Sequence, residues 1–280
     1  MPRNINNVEF TIFDLETTGL EPEAGDRIVE IAGIRMKGKE SLGVFQSLVN
    51  PGKRMISTAA FTVNQINQEM LREAPSIDEI MPKFLDFISG SCLAAYNASF
   101  DLSFLSSELK LINKQLKEGT QIVDILVMAK RLLPNFQRYS LEFIANSLGI
   151  DSIQEHRALS DVKITLEVFK RLKIILSQKG IVDFDQFVSL FGLSSRLLDN
   201  INNAKISRIQ QALDLGVTLK IKYLNRNNAE FTEREVIPQA VTQGRNQLYL
   251  VGFCKLRNQE RTFGINNILH LEMGAPFRLG

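Results

Sequence analysis

The stretch TIFDLETTGL (residues 11–20) places two acids, Asp14 and Glu16, inside an otherwise apolar run, followed by Thr17, Thr18 and Gly19. On a strand, side chains two residues apart share a face, so both carboxylates point the same way. Unpaired charge in a buried strand is costly, so something positive belongs beside them. Outward from this stretch, VEFTIFDL (8–15), RIVEIAGIRM (27–36) and GVFQSLVNP (43–51) read as three strands joined by short turns, an antiparallel meander. Residues 67–90 then show helical spacing, with Ile77, Ile80, Met81, Phe84, Leu85 and Ile88 along one face.

Strand and helix alternate from there. CLAAYN (92–97) is a short strand leading into a helix that carries Asp101 near its start. TQIVDILVMAKRL (120–132) repeats the strand-to-helix step, and SLEFIANSLG (140–149) is a helix that Gly149 ends. A long helix begins at Asp161, with Ser160 as its expected N-cap. A meander followed by alternating elements predicts an α/β domain with a mixed sheet, ending near residue 178. Residues 179–216 hold short amphipathic pieces and read as a helical linker. It either fixes the C-terminal segment beside the first domain or dimerises the chain. Residues 217–280 change to five short strands, expected as a small β-barrel or sandwich.

Bulk properties bound the function. The 280 residues are 44% hydrophobic and 23% charged, the composition of a globular chain. Residues 179–280 carry 13 Lys/Arg against 9 Asp/Glu, a net of +4, and residues 1–178 carry 20 against 22, a net of −2. A slightly acidic first part with acids in apolar strands suits a metal site better than a basic groove. Cys92 and Cys254 are too few for a disulfide framework and read as buried thiols. No run reaches the roughly 20 apolar residues of a membrane helix, and no secretory signal is legible at the start, so a cytoplasmic protein with no membrane partner is expected.

Asp14, Glu16, Asp101 and Asp161 all fall at strand ends or helix starts, the edge of an α/β sheet where ligands bind. Four converging carboxylates repel unless cations lie between them, and all-oxygen ligation favours Mg²⁺ or Mn²⁺. Two such ions, about 3.5–4 Å apart, suit displacement at phosphorus. His156, five residues before Asp161, is then the candidate general base. Taken singly, these residues would read as surface acids, helix caps and a loop histidine. Asp124 reads as a turn or cap.

Together and in this order, FDLETTGL, NASFD and HRALSD resemble the three motifs of the DEDDh 3′→5′ exonucleases, the superfamily of bacterial proofreading subunits and RNase T. The resemblance covers residues 8–172 and includes LVNPGKRM and YSLEFIANSLGI. It implies an RNase H-like fold, with Asp14, Glu16, Asp101 and Asp161 as ligands of two divalent ions and His156 as the base. It also implies that Thr17, Thr18 and Leu20 lie against the 3′-terminal nucleotide. Many relatives have His where this chain has Tyr96, before Asn97, so an altered substrate contact is expected at that pair. Residues 217–272 resemble the WYL domain, an Sm/SH3-like barrel, through LKIKYLNRNNAEFTEREVIPQAV and NQLYLVGFCKLRNQERTFGINNI, with Leu248-Tyr249-Leu250 at the naming triplet. That resemblance implies nucleic-acid or nucleotide binding, for which Tyr223, Arg234, Tyr249, Arg257 and Arg261 are the candidates. Taken singly, Tyr249 and Phe263 read as core residues before ligand contacts. The expected activity is release of 5′-mononucleotides from single-stranded DNA ends. An RNA-trimming enzyme and a nucleic-acid sensor with a passive nuclease fold are the rivals.

Overall fold

A computed structural model describes residues 3–151, 154–193, 196–225, 227–244 and 247–277, with residues 196–200 as backbone alone. β1 (Glu9–Thr17), β2 (Ile28–Lys37) and β3 (Glu40–Leu48) form the antiparallel meander. β4 (Cys92–Ala95) and β5 (Ile122–Asp124) extend the sheet in parallel from β1, giving the order β3-β2-β1-β4-β5. This is the mixed sheet expected of an RNase H-like exonuclease fold.

The apolar residues of β1 sort by parity. Phe13 and Leu15 face α3 (Ile77–Ile88) and α4 (Ala98–Leu111) in one core. Phe10 and Ile12 face α5 (Ile125–Leu132), α6 (Leu141–Ser147), α7 (Ala158–Gln178) and α8 (Phe184–Phe191) in the other. Phe10 packs on Phe169 at 5.0 Å and on Phe187 at 5.8 Å, which seats α7 and α8 against the central strand.

The helical spacing of residues 67–90 resolves into two helices, α2 (Gln68–Arg72) and α3. Pro75 disfavours helical backbone at Ala74, and Ser76 with Glu79 forms a capping box that starts α3 afresh. A further helix, α1 (Thr58–Asn64), is capped by Ser57 through Ala60 N–H. The spacing had not disclosed it. Gly149 stands at φ +70° just past α6, as a helix-ending glycine should. α7 begins at Ala158 rather than after Ser160, because the carboxylate of Glu30 accepts from Ala158 N–H at 3.1 Å and takes over the capping role.

The C-terminal domain is a five-stranded antiparallel sheet of β6 (Val217–Leu224), β7 (Phe231–Gln243), β8 (Leu248–Cys254), β9 (Gln259–Gly264) and β10 (Ile268–Pro276), ordered β10-β6-β7-β8-β9. The expected barrel is not closed: among the described residues β9 and β10 are not paired. Instead α9 (Arg196–Leu215) lays Ile209 and Ala212 into the core of this sheet beside Leu219, Val236 and Leu250. Leu224 and Leu269 of the same sheet belong to the core that holds α7 and α8, so the two domains share a packed seam. Cys92 and Cys254 are both free and buried. Among the described residues no helix is long and apolar enough to cross a membrane.

Candidate active site

β4 pairs with β1 only as far as Ile12↔Ala94. Beyond that point the edge of β1 is open, and Asp101, in the first turn of α4, accepts from Leu15 N–H at 3.1 Å. Asp161 occupies the matching place in the first turn of α7, on the other side of the sheet. Two helices on opposite faces thus direct their N-termini, where negative charge is favoured, at one edge. Asp14 and Glu16 continue the face that carries Phe10 and Ile12 and emerge where α7 starts. Asp14, Glu16 and Asp161 each offer an oxygen, all within 4.8 Å of one another.

Burial and mutual repulsion raise the proton affinity of this group. Asp14 is pushed well up, first by burial and then by the charges of Asp101, Glu16 and Asp161. Glu16 is raised to about 8 by burial and then by Asp161, against the favourable Asn64 side chain. Asp101 is raised to about 8 by burial, although the Leu15 N–H stabilises its ionised form. Asp161 is also raised by burial, opposed by a hydrogen bond from Gln154 Nε2 at 2.7 Å and by His156. Its other oxygen, Oδ1, is buried without a hydrogen-bond partner. An orphaned carboxylate oxygen inside a ring of repelling acids is the donor set a hard divalent cation requires.

The folded chain holds protons on Glu16 and Asp101 at pH values where the unfolded chain has released them. Metal-free protein should therefore lose stability as pH rises from about 4.5 towards 8. Thermal melts without divalent ions should fall by several degrees across that window, and saturating Mn²⁺ should flatten the trend. A metal-free melting temperature independent of pH would contradict the repulsion described here.

His156 lies in the loop before α7, at φ +50° and with 45% of its side chain exposed, its Nδ1 3.9 Å from Asp161 Oδ2. The loop is held by a residue outside the three motifs. Glu30, fully buried on β2 and opposite Glu16 across the strands, receives Arg157 Nε and Nη2, both at 3.0 Å, with Ala158 N–H and the Gln46 side chain. Its signal was present, an acid within the apolar run RIVEIAGI, the same cue that singled out Asp14. Glu30→Ala should cost about 2–4 kcal/mol, short of the fully buried case because Arg157 keeps about a third of its surface in water. Denaturant titration reads this, and a loss under about 0.5 kcal/mol would remove Glu30 from the loop's support.

A groove of about 480 Å³ runs from Glu16 along Thr17, Leu20, Val63, Asn64 and Phe100. Leu20 is 78% exposed on its wall. Thr17 donates to Gly19 O. Thr18 is not brought to the groove: it is buried, with its hydroxyl donating to Asp26 and accepting from Arg27 N–H. Arg54 also binds Asp26, at 2.8 Å, and a side chain on Gly19 would meet that carboxylate at 2.2 Å, so glycine is needed there. Asn64, unmarked in the sequence, donates to Thr17 O and is fixed by Ile66 N–H. Tyr96 turns its hydroxyl to Tyr139 O at 2.8 Å, packs on the core that Phe10 and Ile12 face, and does not line the groove. Asn97 takes φ +66° ahead of α4, and its backbone N–H, with that of Ala98, bonds Asp124. Asp124 also caps α5 through Leu126 and Val127 N–H, the cap role expected of it.

In the C-terminal domain a second cavity, about 290 Å³, gathers Tyr223, Arg234, Arg257 and Arg261, with Phe263 at its wall. Tyr249 lies apart from it and binds Gln247 instead.

The family described as Exonuclease matches residues 11–169. The chain belongs to the exonuclease family. The WYL domain matches residues 204–273 and forms the C-terminal sheet with α9. The chain resembles DNA polymerase III PolC-type from Caldanaerobacter subterraneus subsp. tengcongensis, 31% identical over 81% of this chain and 16% of the relative. It also resembles a DNA polymerase III subunit epsilon-like protein from Rhodobacter capsulatus, 36% identical over 71% of this chain and 28% of the relative. The chain thus spans less than a third of the length of these curated relatives. Among solved structures, an Escherichia coli exonuclease I–ssDNA complex has the same fold at TM-score 0.58, 15% identical, covering 95% of this chain and 64% of that one. The nuclease domain of 3'hExo, a DEDDh family member bound to rAMP, matches at TM-score 0.52 and 19% identity, over 64% of this chain and 96% of that one.

Proposed function

We propose that this exonuclease is a metal-dependent 3′→5′ enzyme releasing 5′-mononucleotides from single-stranded DNA ends. The observation that carries the reading is the orphaned Asp161 Oδ1 within the cluster of Asp14, Glu16 and Asp161. These three residues would hold one divalent ion, Mg²⁺ or Mn²⁺, and Asp14 with Asp101, acting through water, a second. Bound there, the ions would supply an activated water and charge stabilisation at the leaving oxygen. His156, half in solvent beside Asp161, accepts the proton of the attacking water. Leu20, Val63 and Phe100 offer the terminal base an apolar groove. The polymerase III names of the relatives and the exonuclease I–ssDNA neighbour favour DNA.

The WYL domain, in this reading, binds or guides the nucleic acid with Arg234, Arg257 and Arg261. Deleting it would expose the part of the first domain's core that Leu224 and Leu269 cover, so point variants test it better.

A time course on matched 5′-labelled single-stranded DNA and RNA with Mn²⁺ tests the proposal. A ladder shortening from the 3′ end, faster on DNA and absent in Asp14→Ala, is expected. A faster RNA ladder would reassign the substrate. No ladder on either strand would leave the sensor reading.

A further inference from the structure

The cavity of the C-terminal domain carries an unusual charge balance. Arg234, Arg257 and Arg261 all line it, and among its described lining residues there is no carboxylate. Among the described residues none of the three guanidinium groups forms an ion pair. Arg234 spends its Nε on Thr232 Oγ1 at 3.1 Å, while its Nη1 is buried with no hydrogen-bond partner. A buried guanidinium nitrogen without an acceptor is expensive, and two further arginines beside it raise the cost. An anion held by the arginines that line the cavity would offset the repulsion among their guanidinium charges.

Shape and lining narrow the anion. Tyr223 and Phe263 meet edge to face at 5.2 Å and give the cavity an aromatic wall. The volume of about 290 Å³ lies at the small end of ligand sites, which run roughly from 300 to 1,000 Å³. That is room for one nucleotide. Three guanidiniums match the higher charge and three terminal oxygens of a phosphomonoester better than the single charge of an internal linkage. The rim is anchored on the exonuclease domain, since Asn135 Nδ2, in the segment between α5 and α6, donates to Asn227 O at 3.2 Å.

We infer that this cavity is a binding site for a nucleoside phosphomonoester. It rests on the reading of the C-terminal domain as a nucleic-acid-binding element and specifies the chemistry of its ligand. Two sources present that chemistry: a free 5′-mononucleotide, which is the proposed product, and the 5′-phosphorylated end of a strand.

The test is calorimetric titration of the full chain in EDTA, so that divalent ions do not recruit phosphate to the acidic cluster. The probes are deoxyadenosine 5′-monophosphate, deoxyadenosine, inorganic phosphate, and matched tetranucleotides with a 5′-phosphate or a 5′-hydroxyl. The mononucleotide should bind at one site per chain, at least tenfold tighter than the nucleoside and tighter than phosphate alone. Arg234→Gln and Arg261→Gln should each weaken it at least tenfold while keeping the wild-type circular dichroism spectrum and cooperative melt. Asp14→Asn should leave it unchanged. A preference of the phosphorylated tetranucleotide over the mononucleotide identifies the strand end as the source, and the reverse order identifies the free nucleotide. Equal binding of the two tetranucleotides with none of the mononucleotide would overturn the inference in favour of internal-linkage recognition. Absence of binding by every probe would overturn it outright, with the nuclease ladder left standing on its own.

Discussion

Asp14→Asn should lower kcat/KM by at least about 10³-fold if the proposed function holds, since the change would then remove a ligand shared by both ions and several kcal/mol of transition-state stabilisation. The same change should make the metal-free protein more stable. Burial and the charges of Asp101, Glu16 and Asp161 make an ionised Asp14 costly, and an amide of the same shape carries no charge to repel. Wild type should gain thermal stability from Mn²⁺, whereas the variant should melt higher without the ion and gain little from it. These opposite movements separate a metal ligand from a structural acid. A variant that retains activity within tenfold, or melts lower with an unchanged Mn²⁺ response, would remove Asp14 from the metal site.

His156→Asn should reduce kcat by about 10²–10⁴, the range for loss of a general base. Asparagine is chosen because it tolerates the left-handed backbone at φ +50°, so the loop keeps its path. The stabilisation by Mn²⁺ should persist, because His156 stands outside the carboxylate cluster, 3.9 Å from Asp161. Loss of metal stabilisation together with activity would instead give His156 a ligand or scaffold role. Activity within a few-fold of wild type would place the base elsewhere.

The two variants probe residues of very different legibility. Asp14 and Glu16 announced themselves by standing in an apolar strand, and strand parity alone put them on one face. Asp101 and Asp161 were visible as acids opening helices. Glu30 carried the same cue as Asp14 but, without knowing that it lay opposite Glu16, nothing distinguished it from a strand acid at the surface. Asn64 and Arg54 carried no cue, since their roles come from neighbours far along the chain, and Gln154 carried none because a loop, with no periodicity of its own, brings it to Asp161. Tyr96 and Thr18 stood inside recognisable motifs, yet which way each hydroxyl turns was set by Tyr139 and Asp26.

The same division holds for the architecture. The sequence by itself determined what local periodicity and spacing encode: the meander, the alternating strands and helices, the acids at their ends and the change to an all-β segment after residue 217. Those arise from backbone geometry and from which side chains repeat every two or every three to four residues. Only the tertiary structure decided that β4 stops short of Leu15 and leaves its N–H to Asp101, that Glu30 rather than Ser160 caps α7, and that α9 fills the core of an unclosed sheet. Each is a hydrogen bond or an apolar contact between segments distant in sequence, and such partners are chosen by packing, which no local pattern contains.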